Sequence, residues 1–299
     1  MTVAYLNGRF IPFAEASLPL HDAGFVSGAT VVDNARTYGR RLFRWADHLA
    51  RFRRDCAACY VPLAATDDEL TAIATELVAR NGVLLPADGE LQVVTFATPG
   101  PLGFYVGEPT NGPPTLGMVT YPVPARYARF AEEGVVLAVA GTQTTQAEDL
   151  LPPRVKHRSR MLWHVAERTV RGWADADAVP AVETQDGVLD TPIGGVFSVA
   201  LGAVYFPPDG AALDSISLRV AAELLGRLGV PVRKEPGVSI ARLAGGAATE
   251  LILCGSGCGP VGVRGFARGP GQSRAFPVAG PVLTRLRAAW AEEVAAGGG

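Results

Sequence analysis

Two hydrophobic periods alternate along the chain. Apolar residues at 3–6 and 10–13 flank Asn7-Gly8, the favoured pair of a two-residue turn, so residues 3–13 read as a hairpin. The run 20–25 reads as a turn built on Asp22 and Gly24, closed by Gly28. Residues 30–38 read as a strand and 41–44 as a second one. The period then changes to that of a helix. Leu49, Phe52, Cys56 and Cys59 recur on one face, which predicts a helix to Cys59 with Asp47 as its cap. A second helix is predicted over 67–82, stopped by Asn81-Gly82. Strands follow at 91–97 and 115–121, around a Gly- and Pro-rich loop at 99–114.

The pattern resumes beyond Pro122-Val123-Pro124-Ala125, whose two prolines stiffen the chain and suit a linker. Strands are predicted at 134–140, 178–183, 196–201, 203–206, 230–234 and 250–254. Helices are predicted over 217–228 and 280–296, and after Lys156, where Met161, Leu162, Val165 and Ala166 are spaced to face a core. Helices and strands mix in both halves, which makes the fold class a two-domain α/β (α+β) scaffold. The expected division is an N-terminal α/β domain at 1–121, a linker at 122–128 and a C-terminal domain at 129–299.

At 299 residues and 48% hydrophobic, the chain is long enough for two cores. Its formal charge of −2 argues against nucleic acid or an anionic membrane surface as the main partner. The N-terminus lacks the basic and apolar regions of a signal peptide, and no apolar run approaches the roughly 20 residues of a membrane span, so a cytoplasmic address is expected. The four cysteines fall as two close pairs, Cys56/Cys59 and Cys254/Cys258. Their place in a helical pattern and at the end of an apolar strand reads as reduced structural thiols rather than a metal site.

One residue stands out chemically. Only Lys156 and Lys234 are lysine; every other permanently basic side chain is arginine. Lysine can lose its proton and form a Schiff base with a carbonyl, whereas arginine stays charged. A surface remnant in an arginine-rich chain is the competing reading. Two further features are less specific. Asp214-Ser215-Ile216-Ser217 precedes a helix and could present N–H groups and a hydroxyl to a phosphate. Cys254-Gly255-Ser256-Gly257 follows an apolar strand, and its small residues allow an anion to approach closely. Taken alone, Arg51 reads as part of a solvated basic face with Arg53 and Arg54, and Asp190 as a turn or cap residue.

In combination these residues carry more. Tyr-Leu-Asn-Gly-Arg-Phe-Ile-Pro, Asp-Ala-Gly-Phe-Val-Ser-Gly, His-Leu-Ala-Arg-Phe, Lys156 after Pro-Pro-Arg-Val, Leu-Asp-Ser-Ile-Ser and Glu-Leu-Ile-Leu-Cys-Gly-Ser occur in this order. The chain thereby resembles, over nearly its whole length, the class IV (fold-type IV) aminotransferases that use pyridoxal 5′-phosphate. That group includes branched-chain and D-amino-acid aminotransferases and aminodeoxychorismate lyase. The resemblance implies a small N-terminal domain, a larger C-terminal pseudo-barrel domain, and a homodimer. It implies Lys156 as the Schiff-base lysine and proton shuttle. Arg51, the backbone of Ile216, Ser217 and Ser256 would hold the phosphate, Asp190 would face the pyridine nitrogen, and the Gly257 N–H would lie near the substrate carboxylate. The implied reaction moves an amino group between an amino acid and a 2-oxo acid, with the cofactor as electron sink. A lyase of the aminodeoxychorismate type and a weakly active or silent cofactor binder are the rival readings.

The departures from the family pattern are specific. Asp190 stands where the family usually has Glu, with Glu183-Thr184 as a competing alignment. Gly195 stands for an Asn, Ser27 for a frequent Tyr, and Met161 for the Tyr of branched-chain enzymes. No Arg-x-His carboxylate trap occurs in 98–105, and Lys156-His157-x-x-Arg160 is closer to the lyase branch.

Overall fold

The computed structural model describes residues 1–142, 151–235, 243 and 245–297. The chain divides into two compact units. One holds Met1–Val123 together with Val155–Ser159, and the other Pro124–Arg154 and Arg160–Ala296. Residues 122–128, expected to be a linker, do three things. Pro122 ends a strand in register with Leu91, the unit boundary follows Val123, and Arg126 opens a helix.

In the first unit, strands β1 (Val3–Leu6), β2 (Arg9–Pro12), β3 (Val31–Tyr38), β4 (Arg41–Leu42), β5 (Leu91–Thr98) and β6 (Thr115–Pro122) form a sheet in the order β2-β1-β6-β5-β3-β4. The β1–β2 turn is left-handed at both Asn7 and Gly8, the conformation a tight hairpin needs. Helices α2 (Trp45–Ala58) and α3 (Asp67–Gly82) supply Leu49, Leu70, Leu77 and others to a core shared with Ala35, Leu91 and Met118 of the sheet. Thr66 and Glu69 form a reciprocal capping box at the start of α3. The cap expected of α2 is different. Arg44, with a left-handed backbone (φ 53°), occupies the N-cap, and Asp47 lies in the first turn, where its charge complements the helix dipole. The short α1 (Ala23–Val26) is capped by the fully buried Asp22, which accepts the Gly24 N–H and, through its other oxygen, the Thr115 hydroxyl.

The second unit contains strands β7 (Val135–Thr142), β8 (Val179–Thr184), β9 (Gly187–Val188), β10 (Gly195–Ala200), β11 (Ala203–Phe206), β12 (Val232–Lys234), β13 (Ala248–Gly255), β14 (Gly259–Gly269) and β15 (Gln272–Ala275). Among the described residues their order is β12-β11-β10-β13-β14-β7-β8-β9, with β15 alongside β14. Strands β14 and β15 have no counterpart in the sequence reading, because glycines at 259, 262, 265 and 269 interrupt the apolar alternation. Helices α4 (Arg126–Glu133), α5 (Met161–Arg171), α6 (Ile216–Arg227) and α7 (Pro281–Ala295) accompany this sheet. The core of this unit is dense: Leu137, Val196, Leu251, Leu253, Val261 and Val263 are all nearly inaccessible.

Helix α5 corrects a sequence expectation. Met161, Leu162 and Val165 are exposed (72%, 39% and 53%), while Ala166 and Val170 form the buried edge. The residues of the apolar stripe are right for a helix, but the helix turns a narrower face to the sheet than the spacing implied. No helix among the described residues is long and apolar enough to cross a membrane.

Candidate active site

In the first unit, Lys156 sits on a segment laid along the start of β3. Its carbonyl accepts the Val32 N–H at 3.0 Å, the Arg158 N–H reaches Thr30 O at 2.9 Å, and Val31 bridges His157. The Lys156 N–H donates to Asp55 Oδ2 at 2.9 Å. Asp55 is itself buried on α2, so the lysine backbone is fixed from both sides, by the sheet and by the helix. The Lys156 side chain is half-buried.

Beside it lies a polar network under the surface. Asp33 on β3 accepts Arg51 Nε and Nη2 through one oxygen, at 2.9 and 2.7 Å, and meets His48 Nδ1 through the other at 2.5 Å. All three side chains are under 5% exposed. Burial alone raises the Asp33 carboxyl, but the charges and hydrogen bonds around it prevail and hold it well below the usual carboxylate range. Burial pushes the His48 pKa down, against the pull of Asp33; Arg51 and Lys156 push it the same way as burial. A neutral imidazole contributes little charge at neutral pH, so Arg51 is the group that keeps Asp33 ionised. Arg51 is thus no member of a solvated basic face.

Sequence reasoning missed Asp33, His48 and Asp55. The signal was present: positions 48, 51 and 55 repeat at helical spacing beside the apolar 49, 52 and 56, which makes a polar stripe inside a buried face.

The second unit assembles a different set. Ser215 caps α6 and accepts the Leu218 N–H, so Ile216 and Ser217 occupy the first turn, where N–H groups lack intrahelical acceptors. Ser217 Oγ lies 3.4 Å from Ser256 Oγ, and Ser217 is buried. Two hydroxyls converging at a helix N-terminus suit a phosphate monoester, which accepts hydrogen bonds and is favoured by the dipole. On this donor set the residues present fit the phosphate end of the cofactor that the sequence resemblance implies.

Gly257 follows directly. A Cβ there would fall 2.5 Å from Tyr127 Cε2, so the ring of Tyr127 packs directly against the glycine. Burial raises the Tyr127 phenol pKa, assisted by Cys258 and opposed by Arg126 and Arg160. Tyr127 fell within the expected linker and was not singled out from sequence.

Asp190 stands between β9 and β10, half-buried, with Oδ1 accepting the Thr191 N–H at 2.9 Å. The Thr191 hydroxyl donates to Gly194 O and accepts from Gly194 N, which folds residues 191–194 into a compact turn. Arg160 Nη2 donates to Pro192 O at 2.8 Å in that turn. The rival carboxylate, Glu183, is buried and paired with Arg268. Gly195, the departure from the family Asn, has a steric cause: a Cβ would lie 2.4 Å from Leu218 Cδ1.

The family model for amino-transferase class IV matches residues 30–266. A putative branched-chain-amino-acid aminotransferase of Methanocaldococcus jannaschii is 24% identical over 234 residues, 78% of this chain and 77% of that one. Among solved structures, the branched-chain aminotransferase of Thermoproteus uzoniensis with norvaline superposes with a TM-score of 0.81 at 18% identity, covering 98% of this chain and 95% of the other. The T.th. branched-chain amino acid aminotransferase complexed with N-(5′-phosphopyridoxyl)-L-glutamate gives 0.76 at 21% identity, covering 98% and 94%. The two-unit α/β architecture is that of these fold-type IV structures. With a family match across most of its length, the chain belongs to amino-transferase class IV, the pyridoxal-phosphate enzymes of amino-group transfer.

Proposed function

We propose that Lys156 is the catalytic residue of this aminotransferase, and that the substrates are an amino acid and a 2-oxo acid. The observation that carries the assignment is the two-sided clamp on the Lys156 backbone, from Val32 and from the buried Asp55. A group that must deliver a proton to more than one atom gains from a backbone that does not wander. When bound, the cofactor supplies the electron sink that makes the substrate Cα–H acidic. Lys156 Nζ would be the group that takes up that proton and carries it to the next acceptor. The hydroxyls of Ser217 and Ser256 and the N–H groups of Ile216 and Ser217 hold the phosphate. Arg51, kept in one orientation by Asp33, adds a guanidinium to the same task.

Asp190 serves as the carboxylate that keeps the pyridine nitrogen protonated. Glu183 is committed to Arg268, which favours Asp190 in this role. The Gly257 N–H, flanked by Tyr127, serves the substrate carboxylate.

The enzyme works as a homodimer in the cytoplasm. Support for the dimer comes from Leu20, Phe25, Phe104, Tyr105 and Val106, all more than half exposed, on segments tied together by the bonds Ala23 N–H to Gly100 O and Leu102 N–H to His21 O. The four free cysteines suit a reducing compartment. Light scattering at micromolar concentration reads the dimer directly.

The test of function is the visible spectrum of the purified enzyme during addition of L- and D-amino acids. A cofactor band that fades with one set of amino acids, and returns with a 2-oxo acid, supports transamination and gives its stereochemistry. A band in wild type that is absent in Lys156→Ala supports the lysine. Pyruvate release with no 2-oxo acid acceptor would replace the assignment with a lyase.

A further inference from the structure

An open cleft of about 870 Å³ lies on the first unit, between the β3–β4 hairpin, the start of α2 and one face of α3. Its volume is in the range of small-molecule sites. Leu42, Trp45, Val78, Ala79 and Leu85 give it an apolar wall. The indole N–H of Trp45 is already satisfied by Thr71 Oγ1 at 2.9 Å, so the ring presents its hydrocarbon surface rather than a donor. None of its lining residues is acidic, while two are arginines, Arg40 and Arg41.

Arg40 is the informative one. Its Nη1 donates to Gly82 O and its Nη2 to Pro86 O, both neutral carbonyls. These bonds fix the guanidinium at the cleft without cancelling its charge. Its backbone is left-handed (φ 62°), a conformation unfavourable for arginine that the hairpin nevertheless retains. An apolar cleft lined by aliphatic and indole surface, with a fixed cation and no carboxylate in its lining, is complementary to an amphiphilic anion.

We propose that this cleft is a second ligand site, for a monocarboxylic acid with an aliphatic or aromatic tail. The tail lies against Trp45, Val78 and Ala79, and the carboxylate faces Arg40. None of these residues belongs to the catalytic set, so the proposal stands independently of the function assigned above.

The test uses the cofactor-loaded enzyme and octanoate as the probe. An octanoate carrying an aliphatic diazirine is photolysed on wild type, and the labelled peptides are mapped. The expected label falls within 40–45 and 71–87, saturates, and is competed by unmodified octanoate. Octanoate also changes tryptophan fluorescence, a response lost in Trp45→Phe, while octylamine is bound at least about tenfold more weakly, as an uncompensated like charge requires. Arg40→Gln weakens octanoate about tenfold, as expected for loss of a charged partner, with aminotransferase activity unchanged. Ala79→Phe, which places a ring across the cleft, abolishes the label and serves where Arg40→Gln lowers stability. Label outside these peptides, equal affinity for octylamine, or octanoate binding unaltered by Ala79→Phe would each overturn the proposal.

Discussion

Asp33 Oδ2 accepts two hydrogen bonds from the single guanidinium of Arg51, at 2.9 and 2.7 Å, with the two side chains 4% and 3% exposed. Removing one member of such a pair strands the other charge out of water, a loss larger than the pair's own net worth. Asp33→Asn keeps the shape and removes the charge. It should lower unfolding stability by about 3 kcal/mol and, with Arg51 at the phosphate as proposed, weaken pyridoxal-phosphate binding, because the guanidinium loses its fixed orientation. Urea titration of the apoenzyme reads the first effect and fluorescence titration with the cofactor reads the second. A stability change below about 0.5 kcal/mol, the usual scatter of a surface substitution, would contradict this account.

His48 gives the same network a pH dependence. Burial lowers its pKa from the ordinary histidine value, so the unfolded chain binds its proton more readily than the folded one. The sign follows: stability is complete above about pH 6.5, the unfolded histidine value, and is lost as pH falls below it. Asp33, held far below the usual carboxylate range, loses its contribution in a separate window that opens only below about pH 4. Urea midpoints between pH 7.5 and 5 should therefore fall for wild type and flatten in His48→Gln, whose amide can still donate to Asp33. A wild-type midpoint that rises on acidification would refute the assigned direction.

Phosphate binding offers a test in the second unit. The Ser217 and Ser256 hydroxyls lie 3.4 Å apart, and in the proposed site both donate to the same anion. A hydrogen bond to a charged group contributes about 1.5–3 kcal/mol, or roughly tenfold to a hundredfold in affinity. Ser217→Ala and Ser256→Ala should each raise the dissociation constant for pyridoxal phosphate by at least tenfold, and that for pyridoxal, which lacks the phosphate, by far less. Equal losses for the two ligands would place the serines elsewhere than at the phosphate.

The sequence carried some of this and concealed the rest for physical reasons. The hairpin at Asn7-Gly8 and helix α3 were legible because local signals mark them: a left-handed turn pair for the hairpin and the Asn81-Gly82 stop for the helix. Lys156 was conspicuous because lysine is rare here. The exposure of Met161, Leu162 and Val165 was not legible, since helical spacing says which residues share a face but not which face meets a sheet. The same limit hid His48 and Asp55. Their helix was foreseen, yet the groups that make the buried polar stripe tolerable, Asp33 for His48 and Arg51, and the Lys156 N–H for Asp55, are distant in sequence. Tyr127 was hidden by two prolines that resemble a linker and are followed at once by a helix.

Gly195 is where the chain departs from its family and where the cause is visible. The family's usual asparagine would need a Cβ 2.4 Å from Leu218 Cδ1, on a residue of α6 that is itself 8% exposed. Such an approach forces side-chain or backbone movement, which in a packed interior costs about 1–3 kcal/mol. Gly195→Asn should therefore destabilise this protein instead of restoring a missing function. The shift should also disturb the N-terminal turn of α6, so cofactor affinity falls together with stability. Leu218→Ala clears the space. In that background the same Gly195→Asn change should cost at least about 1 kcal/mol less, a coupling that only neighbouring residues show. Four urea titrations complete the cycle. Additive losses would mean that the glycine is retained for some reason other than the leucine above it.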